Sequence, residues 1–182
     1  GAVVLKSLFE EQIEAELKQS LDEYQTDYPE AYDYIKTYTR DSAVSDYLDM
    51  INEVKKELDI PVIASLNCVS AAEWTSFASR IEKAGADALE LNISLLPSDP
   101  RKNCETYEQD YFDVLDKVSG EVSIPVSLKM STYSSSIANL VSRLQWSGKV
   151  AGFVLFNRYY RPDIDIKTMT YTSAEVFSTP PE

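Results

Sequence analysis

The chain has 182 residues, of which 44% are apolar and 26% charged, the balance of a folded domain able to bury roughly 70% of its unfolded surface. Thirty acidic against 17 basic side chains give a formal charge of −13, which argues against a nucleic-acid backbone or an anionic membrane as the main partner. There is no histidine, which removes His-based triads, general bases and metal sites, and the only cysteines, Cys68 and Cys104, cannot make a four-cysteine centre.

The chain opens on Gly1–Ser7, an apolar run that reads as a buried strand. Acidic residues rather than a cleavage site follow it, and no stretch approaches ~18 consecutive apolar residues, so neither a signal peptide nor a membrane span is expected and the expected compartment is the cytoplasm. In that compartment both thiols are expected to be reduced. A helix is expected over Phe9–Leu21, then a tyrosine-rich helical excursion over residues 22–40, with Tyr24, Tyr28, Tyr32, Tyr34 and Tyr38 set among acids. A second helix is expected over Val44–Leu58, with Val44, Tyr47, Leu48, Ile51 and Val54 on one face.

Two segments then repeat one plan. Asp59–Asn67 and Ser123–Lys129 each read as a turn, a proline at the first strand position and a short buried strand, their prolines Pro61 and Pro125 being 64 residues apart. Each is followed by a second strand, Ala86–Asn92 and Val150–Asn157, whose terminal asparagines are 65 residues apart. Between them Ser70–Ala84 reads as a helix opened by the capping box Ser70-Ala-Ala-Glu73 and stopped at Gly85, with Trp74, Phe77, Ala78 and Ile81 inward. Thr106–Val118, followed by Gly120, and Ser136–Trp146, followed by Gly148, complete the set. Short apolar strands alternating with amphipathic helices imply parallel strands in an α/β fold, read as a single domain over residues 1–182. After Ile164 no further strand is evident, and both ends read as interrupted. Five strands could close as a small open sheet or be strands two to six of a (β/α)8 barrel; the strand ends fit the barrel better.

In such folds ligands bind outside the carboxyl ends of the strands. Those ends are Lys6, Asn67, Asn92, Lys129 and Asn157. Amides pair with ring N–H and C=O groups and ammonium groups stabilise charge building on a ring, so five such ends suit a planar, carbonyl-rich and partly anionic small-molecule ligand. Glu90, alternating with Leu89 and Leu91, is expected inside the barrel, paired with Lys6 or Lys129. Asp163 and Asp165 lack a third neighbouring carboxylate and read as turn or cap residues rather than a metal site.

These strands also resemble, in order, those of the dihydroorotate dehydrogenase family: Gly-Ala-Val-Val-Leu-Lys6-Ser, Ile-Ala-Ser-Leu-Asn67, Ala84-Gly-Ala-Asp-Ala-Leu-Glu-Leu-Asn92, Val126-Ser-Leu-Lys129 and Phe153-Val-Leu-Phe-Asn157. Phe9-Glu10-Glu-Gln-Ile13 and Asn157–Asp165 resemble its dihydroorotate dehydrogenase-like branch. The resemblance implies an FMN-dependent TIM barrel of the pyrimidine pathway, of which this chain covers strands two to six, oxidising dihydroorotate to orotate or a related dihydropyrimidine. It implies Lys6 and Lys129 as catalytic and flavin-facing residues, Asn92 at both flavin and substrate, and Asn67 and Asn157 at the substrate. The family's base, a cysteine or serine three residues after the asparagine, is replaced by Leu95, with Ser94 one position off, so strict activity is in question. A homodimer, or completion by further segments, is expected. The alternative reading is a non-catalytic ligand-binding or structural half-barrel completed by another chain.

Overall fold

The computed structural model describes residues 1–9, 29–67, 71–93, 98–157 and 163–172. Its strands are β1 (Val3–Val4), β2 (Leu8–Phe9), β3 (Val62–Asn67), β4 (Ala88–Ile93), β5 (Val126–Met130) and β6 (Gly152–Val154), with β7 (Asp163–Asp165) and β8 (Thr170–Thr172) as a separate hairpin. The helices are α1 (Pro29–Glu57), α2 (Ala71–Lys83), α3 (Cys104–Glu121) and α4 (Ile137–Trp146). The main sheet runs β1-β3-β4-β5-β6 with every pairing parallel, and β2 also pairs with β3. The expected parallel strands in chain order, with helical crossovers, are therefore the observed arrangement.

Side-chain parity divides this sheet into two chemistries. Ala64, Leu66, Leu89, Leu91, Ile93, Val126, Leu128 and Met130 are buried and join the core with Trp74, Phe77 and Ile81 of α2, Tyr111, Leu115 and Val118 of α3, and Leu140 and Leu144 of α4. The alternate positions carry Ser65, Asn67, Glu90, Asn92, Ser127 and Lys129. One face thus holds the helices by apolar burial and the other is polar, as a barrel interior near its mouth must be if it is to meet a ligand.

Several boundaries differ from expectation for local reasons. The first strand is not continuous. Val4 pairs with Ile63 and Leu8 with Leu66, so Leu5, Lys6 and Ser7 face only Ala64 and Ser65, and the extra residue makes a bulge. Phe9, expected to start a helix, lies in β2, and the rest of that expected helix lies outside the described residues. Residues 29–40 of the tyrosine-rich excursion run without a break into the expected Val44–Leu58 helix to form α1, while residues 22–28 lie outside the described ones.

Gly120, expected beyond a helix, is within α3, whose start is capped by Asn103: its side chain accepts from the Thr106 amide at 2.9 Å. Residues 163–165, expected as a turn, form β7. Asp165 then makes the turn itself, accepting from the Lys167 amide at 2.8 Å; that amide, with the Thr168 hydroxyl and amide, holds its carboxyl below the usual carboxylate range.

Candidate functional site

The register brings the expected polar strand ends to one level. Asn92 pairs with Lys129 across β4 and β5, and Asn67 follows directly on the pair Leu66–Leu91. Asn157, three residues beyond β6, is turned back by its amide donating to the Met130 carbonyl at 2.9 Å. Its side-chain Nδ2 then donates to Asn92 Oδ1 at 2.8 Å. Asn92 is buried, whereas Lys129, Asn67 and Asn157 are half-buried. Lys6 sits on the exposed bulge at the sheet edge, joined to this cluster by no contact among the described residues. The structure therefore brings Asn92, Asn157 and Lys129 together, sets Asn67 beside them, and leaves Lys6 at the rim.

One residue layer deeper, a second polar string crosses the strands. Lys129 Nζ lies 3.7 Å from Glu90 Oε1, and the Ser65 hydroxyl donates to the same oxygen at 2.7 Å. The Ser7 and Ser65 hydroxyl oxygens are 2.7 Å apart. Ser65 has spent its single proton on Glu90, so Ser7 is the donor of that pair. Glu90 is only 3% exposed, and a carboxylate so placed needs this cation and hydroxyl around it. The expected partner of Glu90 is thus Lys129 rather than Lys6.

Behind Ser65, the bulge removes the edge strand's backbone partners, and the Tyr47 hydroxyl of α1 takes their place. It accepts from the Ser65 amide at 3.0 Å and donates to the Ser65 carbonyl at 3.1 Å. Burial pushes the Tyr47 phenol up to about 12, with the Glu90 charge adding to the effect. Neither Tyr47, read as a packing residue, nor the two serines stood out in the sequence. The signal that could have found the serines is their parity with Glu90 and Asn67.

A separate cavity of about 310 Å³ lies on the helical side of the β5 end, lined by Cys104, Tyr107, Glu108, Tyr111 and Tyr133 among others. Its buried Glu108 is held by Arg143 at 3.0 Å and by the Ser134 hydroxyl at 3.0 Å. Cys104 is an exposed free thiol at the start of α3, as expected; Cys68, Ser94 and Leu95 lie outside the described residues. No metal-holding group of three or more carboxylates or thiols occurs among the described residues, and none of the described helices is long and apolar enough to cross a membrane.

A comparison with solved structures places this arrangement. A dihydrodipicolinate synthase from Agrobacterium tumefaciens superposes with a TM-score of 0.50 at 17% identity, covering 60% of this chain and 36% of that one. The fold is that of a partial TIM barrel. At this identity the likeness carries the fold alone.

Among curated proteins, the catalytic subunit of dihydroorotate dehydrogenase B (NAD(+)) from Thermoplasma volcanium is 28% identical over 122 residues, 62% of this chain and 37% of that protein. A protein from Aeropyrum pernix that bears the name dihydroorotate dehydrogenase A (fumarate) is 30% identical over 126 residues, 64% of this chain and 38% of its own length. The chain thus matches less than two fifths of these relatives, which are enzymes by name. No family model matches the sequence.

The expected flavin-dependent oxidation of dihydroorotate is corrected by the fold comparison: the solved structure that superposes on these strands is a dihydrodipicolinate synthase. Of the three groups expected to face a flavin, Lys129 contacts Glu90, the Asn92 amide oxygen accepts from Asn157, and Lys6 lies apart on the rim.

Proposed function

We propose that the polar mouth formed by Asn92, Lys129 and Asn157 binds a small planar molecule with carbonyl and N–H edges, and that the whole protein is a barrel enzyme acting on that class. The observation that carries this reading is the paired register of Asn92 and Lys129, with Asn157 folded back onto Asn92, at the carboxyl end of parallel strands. Asn157 spends one N–H on Asn92, which leaves Asn92 Nδ2 to donate and Asn157 Oδ1 to accept at a ligand edge. Lys129 supplies the cation toward which a substrate carbonyl oxygen would develop negative charge, held in place before the reaction rather than reorganised during it. Asn67 extends the amide row on β3, and Lys6, on the rim, would meet only the outer part of a ligand. The rest of the barrel wall would come from a second copy or from further βα units.

The test is a titration of the isotope-labelled protein with nicotinamide, a planar probe bearing C=O and N–H groups. Saturable shifts are expected on the side-chain amides of Asn92 and Asn157 and on the Lys129 backbone, and none on the β7–β8 hairpin. Lys129→Met should weaken the probe by roughly 10-fold or more, the scale of one hydrogen bond to a charged group. Absence of strand-end shifts would overturn the reading. So would tight binding of FMN at these strand ends with bleaching by dihydroorotate.

A further inference from the structure

Across these strand ends the formal charges in mutual contact among the described residues are Glu90 and Lys129, which offset each other, while Lys6 stands apart on the rim and touches neither. The carboxylate comes from β4 and the ammonium from β5; Ser65 of β3 and Ser7 of the bulge contribute neutral hydroxyls. Tyr47, packed behind Ser65, is a neutral phenol. Asn92 and Asn157 add only dipoles. A lysine alone in a half-buried mouth would select for anions, because its field in a medium of low polarisability is strong. Here Glu90 stands 3.7 Å behind it, is nearly inaccessible, and is oriented by two hydroxyl donors in series.

We propose that Glu90 is the specificity-determining residue of this site: its buried carboxylate offsets Lys129, so that the mouth takes neutral carbonyl- and amide-bearing molecules and rejects carboxylates and phosphates of the same shape. The inference rests on the reading of the strand ends as a ligand site and names the charge class of that ligand. Lys129 still offers its N–H groups to a carbonyl oxygen, while a full negative charge would meet Glu90 behind it. Rejection by a fixed like charge is a common way to obtain selectivity that attraction alone does not give.

The experiment compares nicotinamide with nicotinate, which share a ring and an outline and differ by one charge. The parent protein is expected to bind nicotinamide at least as tightly as nicotinate. Glu90→Gln keeps the side-chain length and an acceptor for Ser65, and should tighten nicotinate about tenfold relative to nicotinamide. Lys129→Met leaves Glu90 uncompensated and should shift the ratio about tenfold the other way. Circular dichroism and thermal melting establish that each variant is folded; if neither is, inorganic phosphate added to the parent decides. Phosphate is expected not to displace nicotinamide, and displacement at comparable concentration overturns the proposal. If nicotinamide binds at the strand ends but the ratio does not move in Glu90→Gln, this inference alone is overturned. If neither probe binds there, the site reading falls and the inference with it.

Discussion

Tyr47 shows how one side chain lets the sheet edge carry an irregularity beside the site. A bulge opposite Ser65 leaves a backbone N–H and C=O without a strand partner, and in a buried position each would cost about 1–3 kcal/mol if left bare. The Tyr47 hydroxyl satisfies both, at 3.0 and 3.1 Å. With both groups left bare, Tyr47→Phe should therefore destabilise the protein by about 2–6 kcal/mol in urea unfolding. The pH dependence has a definite sign. The folded phenol sits at about 12 against an ordinary value of 10.0, so the folded state holds this proton more tightly than the unfolded one. Its contribution is complete below pH 10 and is lost as the pH rises toward 12. The parent should lose stability over that interval by an amount that Tyr47→Phe does not lose; alkaline melts of the two proteins running parallel would contradict the assignment.

At the scale of elements, two helix stops set by short-range chemistry were legible, Gly85 after α2 and Gly148 after α4, whereas Gly120 lies inside α3. Gly85 closes α2 with φ +97°, its amide donating to the Glu82 carbonyl at 3.0 Å and the Ala86 amide reaching the Ile81 carbonyl at 3.4 Å. An added Cβ would meet only Lys55 Cγ at an ordinary 3.9 Å, so the cost of Gly85→Ala is backbone strain alone, roughly 1 kcal/mol, read as a lower urea midpoint with an unchanged slope. The proline-led repeats placed β3 and β5, and alternation placed Glu90, Asn92 and Lys129 on the polar face. What could not be read locally was the bulge, because its stability depends on Tyr47 more than 35 residues away. The β7–β8 hairpin was missed because Asp-Ile-Asp and Thr-Tyr-Thr are each a single polar–apolar–polar triplet, too short for alternation to stand out. Lys6 looked like a strand end because the sequence continues as if the strand were straight; the bulge, not the pattern, decides that it sits at the rim. Of the candidate site, the residues set by strand parity were legible, and the hydroxyls that orient Glu90 were not.

For the molecule as a whole, the polar inner face and the apolar helical face answer different demands. The helical face packs against α2, α3 and α4 together with Val44, Tyr47 and Ile51 of α1, all in one buried apolar cluster. The sheet itself ends at β1 and β6, whose outer edges have no further strand among the described residues, and the matched portion is under two fifths of the curated relatives. If a second copy supplies the missing wall, two chains of formal charge −13 must approach each other. Their repulsion is long-range at low ionic strength and is screened within about 8 Å at physiological salt. Self-association through the sheet edges should therefore strengthen as salt is raised from about 0.01 to 0.15 M, opposite to the behaviour of an interface built on ion pairs. Sedimentation velocity across that range should show a mass-averaged coefficient that rises with salt and with protein concentration. Val4→Lys, at an exposed residue of the β1 edge, should abolish the rise by placing a charge on the edge that would have to pair. A single monomeric boundary at every salt and concentration would instead assign the remaining wall to further βα units of a longer chain.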